Sequence, residues 1–276
     1  MGSGPYFAFP FFEINKLDQK RINHLSSLDG IMVASDWAKQ VIKDANISVP
    51  VYTVPLAVDT TIFSPPPQSE SAKCVFLNCG KWEKRKGHDV LLEMFQTAFP
   101  NEEDVQLVMM PSNPFLNEKT AHEWHRYYMS DPRVRLHNRL PSHQEVAEVM
   151  ASSHCGIFPS RAEGWNLELL EMMAMGKHII TTNYSAHTQF CNENNADLIQ
   201  IENLEPAQDG VFFDGSAGEW ASLEGKPFEQ AVEYMRGFYN KWKSDSDILN
   251  KEGVKTANQL TWANTSAKIQ EIIYGN

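Results

Sequence analysis

Arg161-Ala162-Glu163-Gly164-Trp165-Asn166-Leu167-Glu168-Leu169-Leu170-Glu171 is the stretch on which the reading of this chain turns. It follows an apolar run, Cys155 to Pro159, that reads as a strand, and it enters an apolar-periodic segment, Leu167 to Met175, that reads as a helix. Glu163 then lies in the loop facing the helix start, and Glu171 comes about two turns later, facing a ligand laid along that start. Between them the backbone N–H groups of Gly164, Trp165, Asn166 and Leu167 have no partner within the helix. Unpaired amides and the positive end of the helix dipole make an anion site, and flanking carboxylates accept hydrogen bonds from hydroxyls. A phosphate flanked by sugar hydroxyls, as in a nucleotide sugar, fits that arrangement.

Outward from this stretch the chain alternates. Apolar strands are expected at Cys74–Asn78, Val105–Met110, Val134–Leu140, Gly156–Pro159, His178–Thr182 and Leu198–Ile201. Helices are expected between them, one with the periodic Val90, Leu91, Met94, Phe95 and Ala98, and one opened by the capping-box spacing Ser142 to Glu145. Alternating strands and helices imply a parallel sheet covered on both faces, with ligands bound at the carboxyl ends of the strands. The basic cluster Lys81, Lys84, Arg85 and Lys86 follows the first of these strands and precedes Gly87, so it falls at such an end. Upstream, Ile31–Ala34 and Val51–Val54 read as short strands, with Ser35 capping a helix that reaches Ala45. Pro65-Pro66-Pro67 marks a hinge, Asp209–Leu223 reads as a loop, and helices are expected from Phe228 and from Asn264 to Ile273. Met1-Gly2-Ser3-Gly4 reads as an appended scar and is left out of the fold.

The chain of 276 residues is 42% hydrophobic, enough for a substantial core, and carries a formal net charge of −11. That balance argues against nucleic acid as a partner. Cys74, Cys79, Cys155 and Cys191 form no CxxC pair or zinc spacing and read as buried, reduced thiols of a cytoplasmic protein. Neither G-x-G-x-x-G nor a Walker A sequence occurs, which disfavours a nicotinamide dehydrogenase or a P-loop enzyme. His122 and His125 read as surface histidines, Glu168 as a solvent-facing helix residue, and Trp82, Trp165 and Trp220 as packing residues at least as readily as sugar platforms.

The spacing of Glu163 and Glu171 resembles the E-x7-E motif of the GT4 family of retaining glycosyltransferases, which have the GT-B fold. Three more segments share the resemblance. Asn78 to Gly87 is similar to that family's G-R-x4-K-G phosphate loop, Val51 to Pro65 to the segment joining its two domains, and Leu260-Thr261-Trp262 to its closing helix. The resemblance implies an α/β, GT-B-like chain in three parts. Residues 1–66 would be a small, partial N-terminal α/β unit and linker on the acceptor side. Residues 67–225 would be a Rossmann-like parallel-sheet domain binding a nucleotide sugar, and residues 226–276 helices packing back on the N-terminal unit. Two domains of similar size are the family pattern, so either the chain is a minimal variant of it or a second copy or another polypeptide completes the first domain.

The resemblance also implies roles. Lys81 and Lys86 would stabilise the charge that builds on the departing diphosphate, with Gly80 in the same loop, and the cations would make a metal unnecessary. Lys81 stands where arginine is usual and lacks its bidentate fork. Glu163 would bind the donor sugar's hydroxyls, Glu171 the ribose, residues 164–167 the phosphates through their amides, and Arg139-Leu140 the base. Asn166 replaces a common glycine, restricting the backbone. Transfer to an unknown acceptor would retain anomeric configuration, with no cofactor beyond the donor itself and with the leaving phosphate helping to take the acceptor's proton. The alternatives are a non-catalytic nucleotide-sugar-binding subunit or inactive remnant, and a sugar-phosphate epimerase of similar fold.

Overall fold

Strands that read as unbroken apolar runs become the buried centre of a parallel sheet, because both faces are covered. The computed structural model describes residues 4–67, 71–244 and 248–275; Met1 to Ser3 of the presumed scar lie outside the described residues. A first sheet, in the order β1-β2-β3, is built from β1 (Phe7–Ala8), β2 (Gly30–Val33) and β3 (Val51–Thr53), all parallel. Its connections are α1 (Gln19–Ser26) and α2 (Asp36–Asp44), the latter capped by Ser35, whose hydroxyl accepts from the Ala38 amide. Phe12, Ile31, Val33, Val41 and Ile42 make its own small core.

The second sheet has six parallel strands in the order β6-β5-β4-β7-β8-β9. Along the chain these run β4 (Cys74–Gly80), α3 (His88–Ala98), β5 (Val105–Pro111), α4 (Glu118–Tyr128), β6 (Val134–Leu136), α5 (His143–Ala151), β7 (Cys155–Phe158), α6 (Leu167–Ala174), β8 (His178–Thr182) and β9 (Asp197–Ile199). The order reverses between β4 and β7, which is the topological switch point where such sheets bind ligands. The capping box of α5 forms as its spacing predicts, Ser142 and Glu145 bonding each other's backbone amide. β6 stops at Leu136 rather than Leu140, and residues 138–140 form the lip of a cleft instead.

The expected loop at Asp209–Leu223 is a correction: it belongs to an antiparallel hairpin, β10 (Leu204–Gln208) and β11 (Asp214–Ala221). Gly215 and Gly218 in β11 and the register shift between Pro206 and Gln208 hide its alternation, while Ala207 and Trp220 are fully buried with Ile14 and Ala162. Three helices follow. α7 (Lys226–Ser244) packs Ala231, Met235 and Phe238 into the core shared with α3 and the sheet, and α8 (Lys251–Gln259) packs on α6. The segment leading into α9 (Trp262–Tyr274) meets the stretch after β3: the Val58 amide donates to Leu260 O, and the Thr265 hydroxyl to Pro55 O. α1, which buries no residue, and α8, with its glycine and asparagine, are too polar for an apolar run to mark them in the sequence.

Candidate functional site

The chain leaves β4 at Gly80, whose φ of +134° suits glycine alone. A Cβ there would stand 2.7 Å from Cδ and Cε of Lys86, so the lysine folds back over a position only glycine leaves open. The basic cluster forms a 3-10 turn, Lys84–Lys86, closed by Gly87 in the left-handed region, where any Cβ would meet Pro159 O at 2.2 Å. Beneath the turn His88 accepts from the Glu83 amide on Nδ1 and bonds Asn78 Oδ1 through Nε2 at 2.8 Å, while Asn78 Nδ2 donates to Ile157 O. Burial, with Lys86 nearby, pushes the His88 imidazole down to about 3, so it stays neutral and fixes the loop across β4 and β7.

Glu163 sits opposite. Its carboxylate receives Lys86 Nζ at 2.9 Å, Arg85 Nη1 at 2.8 Å and the Ser160 hydroxyl at 2.9 Å, and all four groups are buried. Arg85 also donates to Glu83 and to Ala162 O. Burial alone would raise the Glu163 carboxyl, but Lys86 and Arg85 outweigh it and hold the acid below its usual range. Burial likewise opposes the charge on Lys86, yet Glu163 and Glu168 keep its ammonium above the ordinary lysine value. Glu163 is therefore ionised, and the stability it contributes is present at neutral pH and lost only as pH falls through its depressed folded value.

The start of α6 is shaped by Asn166. Its φ of +86° is the conformation glycine would take, which asparagine tolerates better than most residues. Its Oδ1 caps the Leu169 amide and its Nδ2 reaches His187 Nε2 at 2.9 Å. The Glu163 amide donates to the Ser185 hydroxyl, whereas the amides of Gly164, Trp165 and Asn166 make no hydrogen bond among the described residues. Arg161 braces the surroundings, bonding Asp89 twice, Glu205 and Lys84 O.

Beside this cluster a cleft of about 230 Å³ is lined by Gly80, Lys81, Asn138, Arg139, Leu140 and Glu168, among others. It lies at the carboxyl ends of β4, β5 and β6. Lys81 is exposed, its ammonium 5.3 Å from the centre of the Phe115 ring. Glu168, expected to face solvent, is half-buried and approaches Lys86 to 4.0 Å. Glu171 is half-buried and does not line the cleft; Glu168, Glu171 and Lys86 are the charged neighbours of Cys79 on its floor. Burial, reinforced by Glu168, pushes the Glu171 carboxyl up to about 8. Trp82, Trp165 and Trp220 are buried packing residues: Trp82 stacks on Trp124, Trp165 packs on Phe190, and Trp220 bonds Glu205. Leu167 is exposed at the helix start. Sequence reasoning missed Glu83, Arg85 as an individual, His88, Ser185 and His187. Only Arg85 left a signal, in the basic run itself.

A switch-point cleft between a basic loop and a helix start, on a six-stranded parallel sheet joined to a second α/β unit, defines a GT-B glycosyltransferase fold. Residues 73–209 match the family described as glycosyl transferases group 1. A protein named as glycosyltransferase 45, from the Sulfolobus islandicus filamentous virus (isolate Iceland/Hveragerdi), is 22% identical over 180 residues, which are 63% of this chain and 47% of that protein. Sucrose-phosphate synthase from Thermosynechococcus elongatus superposes with a TM-score of 0.68 at 15% identity, over 92% of this chain and 61% of its own. Anabaena Alr3699/HepE, in complex with UDP and glucose, gives 0.73 at 12% identity, over 99% of this chain and 72% of its own. The chain thus spans about half the length of the viral relative and less than two thirds of the synthase.

Proposed function

We propose that this chain binds a nucleoside diphosphate sugar in the switch-point cleft and transfers the sugar to an acceptor with retention of anomeric configuration, as a GT4-type enzyme of the cytoplasm. The observation that carries the reading is the Lys86–Glu163 pair. It sets a phosphate-binding cation 2.9 Å from a hydroxyl-binding carboxylate, beside three amides that make no hydrogen bond among the described residues. A diphosphate bound there takes the amides of Gly164 to Asn166 and shares Lys86 with Glu163, and Lys81 closes on it from the rim. The donor sugar's hydroxyls donate to Glu163, the ribose hydroxyls to Glu171, and the base lies against Arg139 and Leu140. As the bond from the anomeric carbon to the phosphate oxygen breaks, charge grows on the diphosphate, and fixed cations and amides stabilise it more than in the ground state. In this reading the lysines do the work a metal would otherwise do.

The free thiols of Cys74, Cys79, Cys155 and Cys191, all buried, support a reducing compartment. Among the described residues no helix is long and apolar enough to cross a membrane. Calorimetric titration of UDP and GDP tests the site: micromolar-range binding that Lys86→Ala abolishes is expected, and equal binding by both proteins would refute the assignment. Mass spectrometry for transferred sugar then separates a transferase from a subunit that only binds the donor.

A further inference from the structure

His187 is fully buried, titratable and without a part in the chemistry above. It lies in the 3-10 turn Ser185–Gln189 that follows β8. This turn braces the loop between β7 and α6 at three points. The Ser185 hydroxyl accepts the Glu163 amide at 2.8 Å, the Ala186 amide donates to Glu163 O at 3.3 Å, and His187 Nε2 meets Asn166 Nδ2 at 2.9 Å. The turn is itself sharply shaped, since Ser185 opens it at a φ of +53°. Thr182, at the end of β8, ties that strand to the same loop by donating its hydroxyl to Ser160 O.

The partners of His187 fix where its proton sits. Asn166 Oδ1 is committed to the Leu169 amide, so the NH2 group of Asn166 faces the imidazole. Nε2 must then accept, which leaves the ring proton on Nδ1. Nδ1 donates to Thr182 O at 3.1 Å, with the hydroxyl oxygens of Thr181 and Thr182 at 3.0 and 3.2 Å. Both hydroxyls donate their own protons to Phe158 O and Ser160 O, so towards His187 they only accept. Burial pushes the imidazole down to about 4 against the pull of Glu163, and the ring stays neutral. Asn166 is thus gripped at both ends of its side-chain amide.

That grip acts on the backbone. Asn166 holds a φ of +86° and a ψ of 78°, whereas an asparagine left to itself favours the right-handed and extended regions. α6 is anchored in the core by Leu169, Leu170, Met172 and Met173. Rotation at Asn166 therefore swings the peptide planes before it, and with them the amides of Gly164, Trp165 and Asn166. We propose that His187 is a positioning residue of the donor site, one that holds the Asn166 side chain, keeps its backbone left-handed and so aims these three amides at the diphosphate. The inference rests on the donor-site reading above. Amides already aimed bind an anion without first having to order the loop.

The test is a cycle of variants titrated by calorimetry with whichever of UDP and GDP the wild type binds. His187→Ala is expected to weaken binding by about tenfold, because a buried donor on Asn166 loses its partner and the loop its order. His187→Gln, which offers one acceptor and one donor in place of the imidazole, should recover most of the loss. Glycine adopts a positive φ unaided, so in the Asn166→Gly background the same His187→Ala change should cost less than about twofold. An equal loss in both backgrounds makes His187 a packing residue and overturns the inference. So does wild-type affinity in His187→Ala, or a His187→Gln as weak as His187→Ala. Where His187→Ala does not fold, His187→Met fills the space without a comparable acceptor and takes its place in the cycle. Failure of both to fold marks a purely structural residue and also overturns the inference. Each of these outcomes leaves the donor site standing, whereas a wild-type protein that binds neither diphosphate overturns both readings together.

Discussion

Lys86 and Lys81 share one loop and one residue type, yet they live in different media. Lys86 is 6% exposed, folded over Gly80 and locked to Glu163; Lys81 is exposed and rests on an aromatic ring. In the buried half of the loop, charges are worth much because water is excluded, and each is expensive to leave alone. In the exposed half a charge can move to meet a ligand and costs little to hold. The inner half of the loop is thus built for position and the outer half for capture.

The most direct way to break this comparison is Glu163→Gln. It leaves Arg85 and Lys86 buried with one carboxylate fewer, and removing one partner of a buried pair costs about 3–5 kcal/mol. At roughly 2–4 °C per kcal/mol for a chain of this size, Tm should fall by roughly 10 °C, read by thermal denaturation. An unchanged Tm would mean that the cluster is solvated.

Next in size, Lys86→Met should weaken diphosphate binding by about 10²-fold, since charged hydrogen bonds contribute about 1.5–3 kcal/mol. If Lys81→Met costs more than Lys86→Met in the same titration, the roles of the two halves are reversed. Gly80→Ala tests the geometry without touching a charge. Its Cβ displaces the Lys86 stem, and overpacking of this kind costs about 1–3 kcal/mol, so both Tm and diphosphate affinity should drop together.

A smaller effect lies in pH. Glu171 is protonated in the free protein below about 8. Ribose hydroxyls donate better to the carboxylate, so binding should release a proton, and affinity for a nucleotide sugar should rise between pH 6.5 and 8.5 by on the order of tenfold. Glu171→Gln should flatten that rise, and a rise that persists would place its source elsewhere. The same raised acid makes folding stability fall as pH climbs from about 4.5 to about 8. Smallest of all, Lys81→Arg should leave folding stability within about 0.5 kcal/mol of wild type, as surface changes do. It should also tighten diphosphate binding severalfold by restoring a bidentate fork, and weaker binding would show that the Phe115 contact sets the position of this cation.

Local patterns made most of the sheet legible before any coordinates. Apolar strand runs, the Ser142–Glu145 box and the Ser35 cap each act within a few residues, so the sequence states them directly. The hairpin was hidden because its glycines and register shift break the alternation that marks a strand, and its burial depends on Ile14, far away in the chain. The site divides in the same way. The chain alone determined that a basic loop and a carboxylate-flanked helix start would sit at strand ends, since the alternation of strands and helices along the chain follows from local pattern. Only the tertiary structure decided that Lys86 is buried against Glu163 while Lys81 is exposed, and that Asn166 takes a glycine's conformation. Those outcomes depend on which groups are brought together without water, and no run of neighbouring residues encodes that.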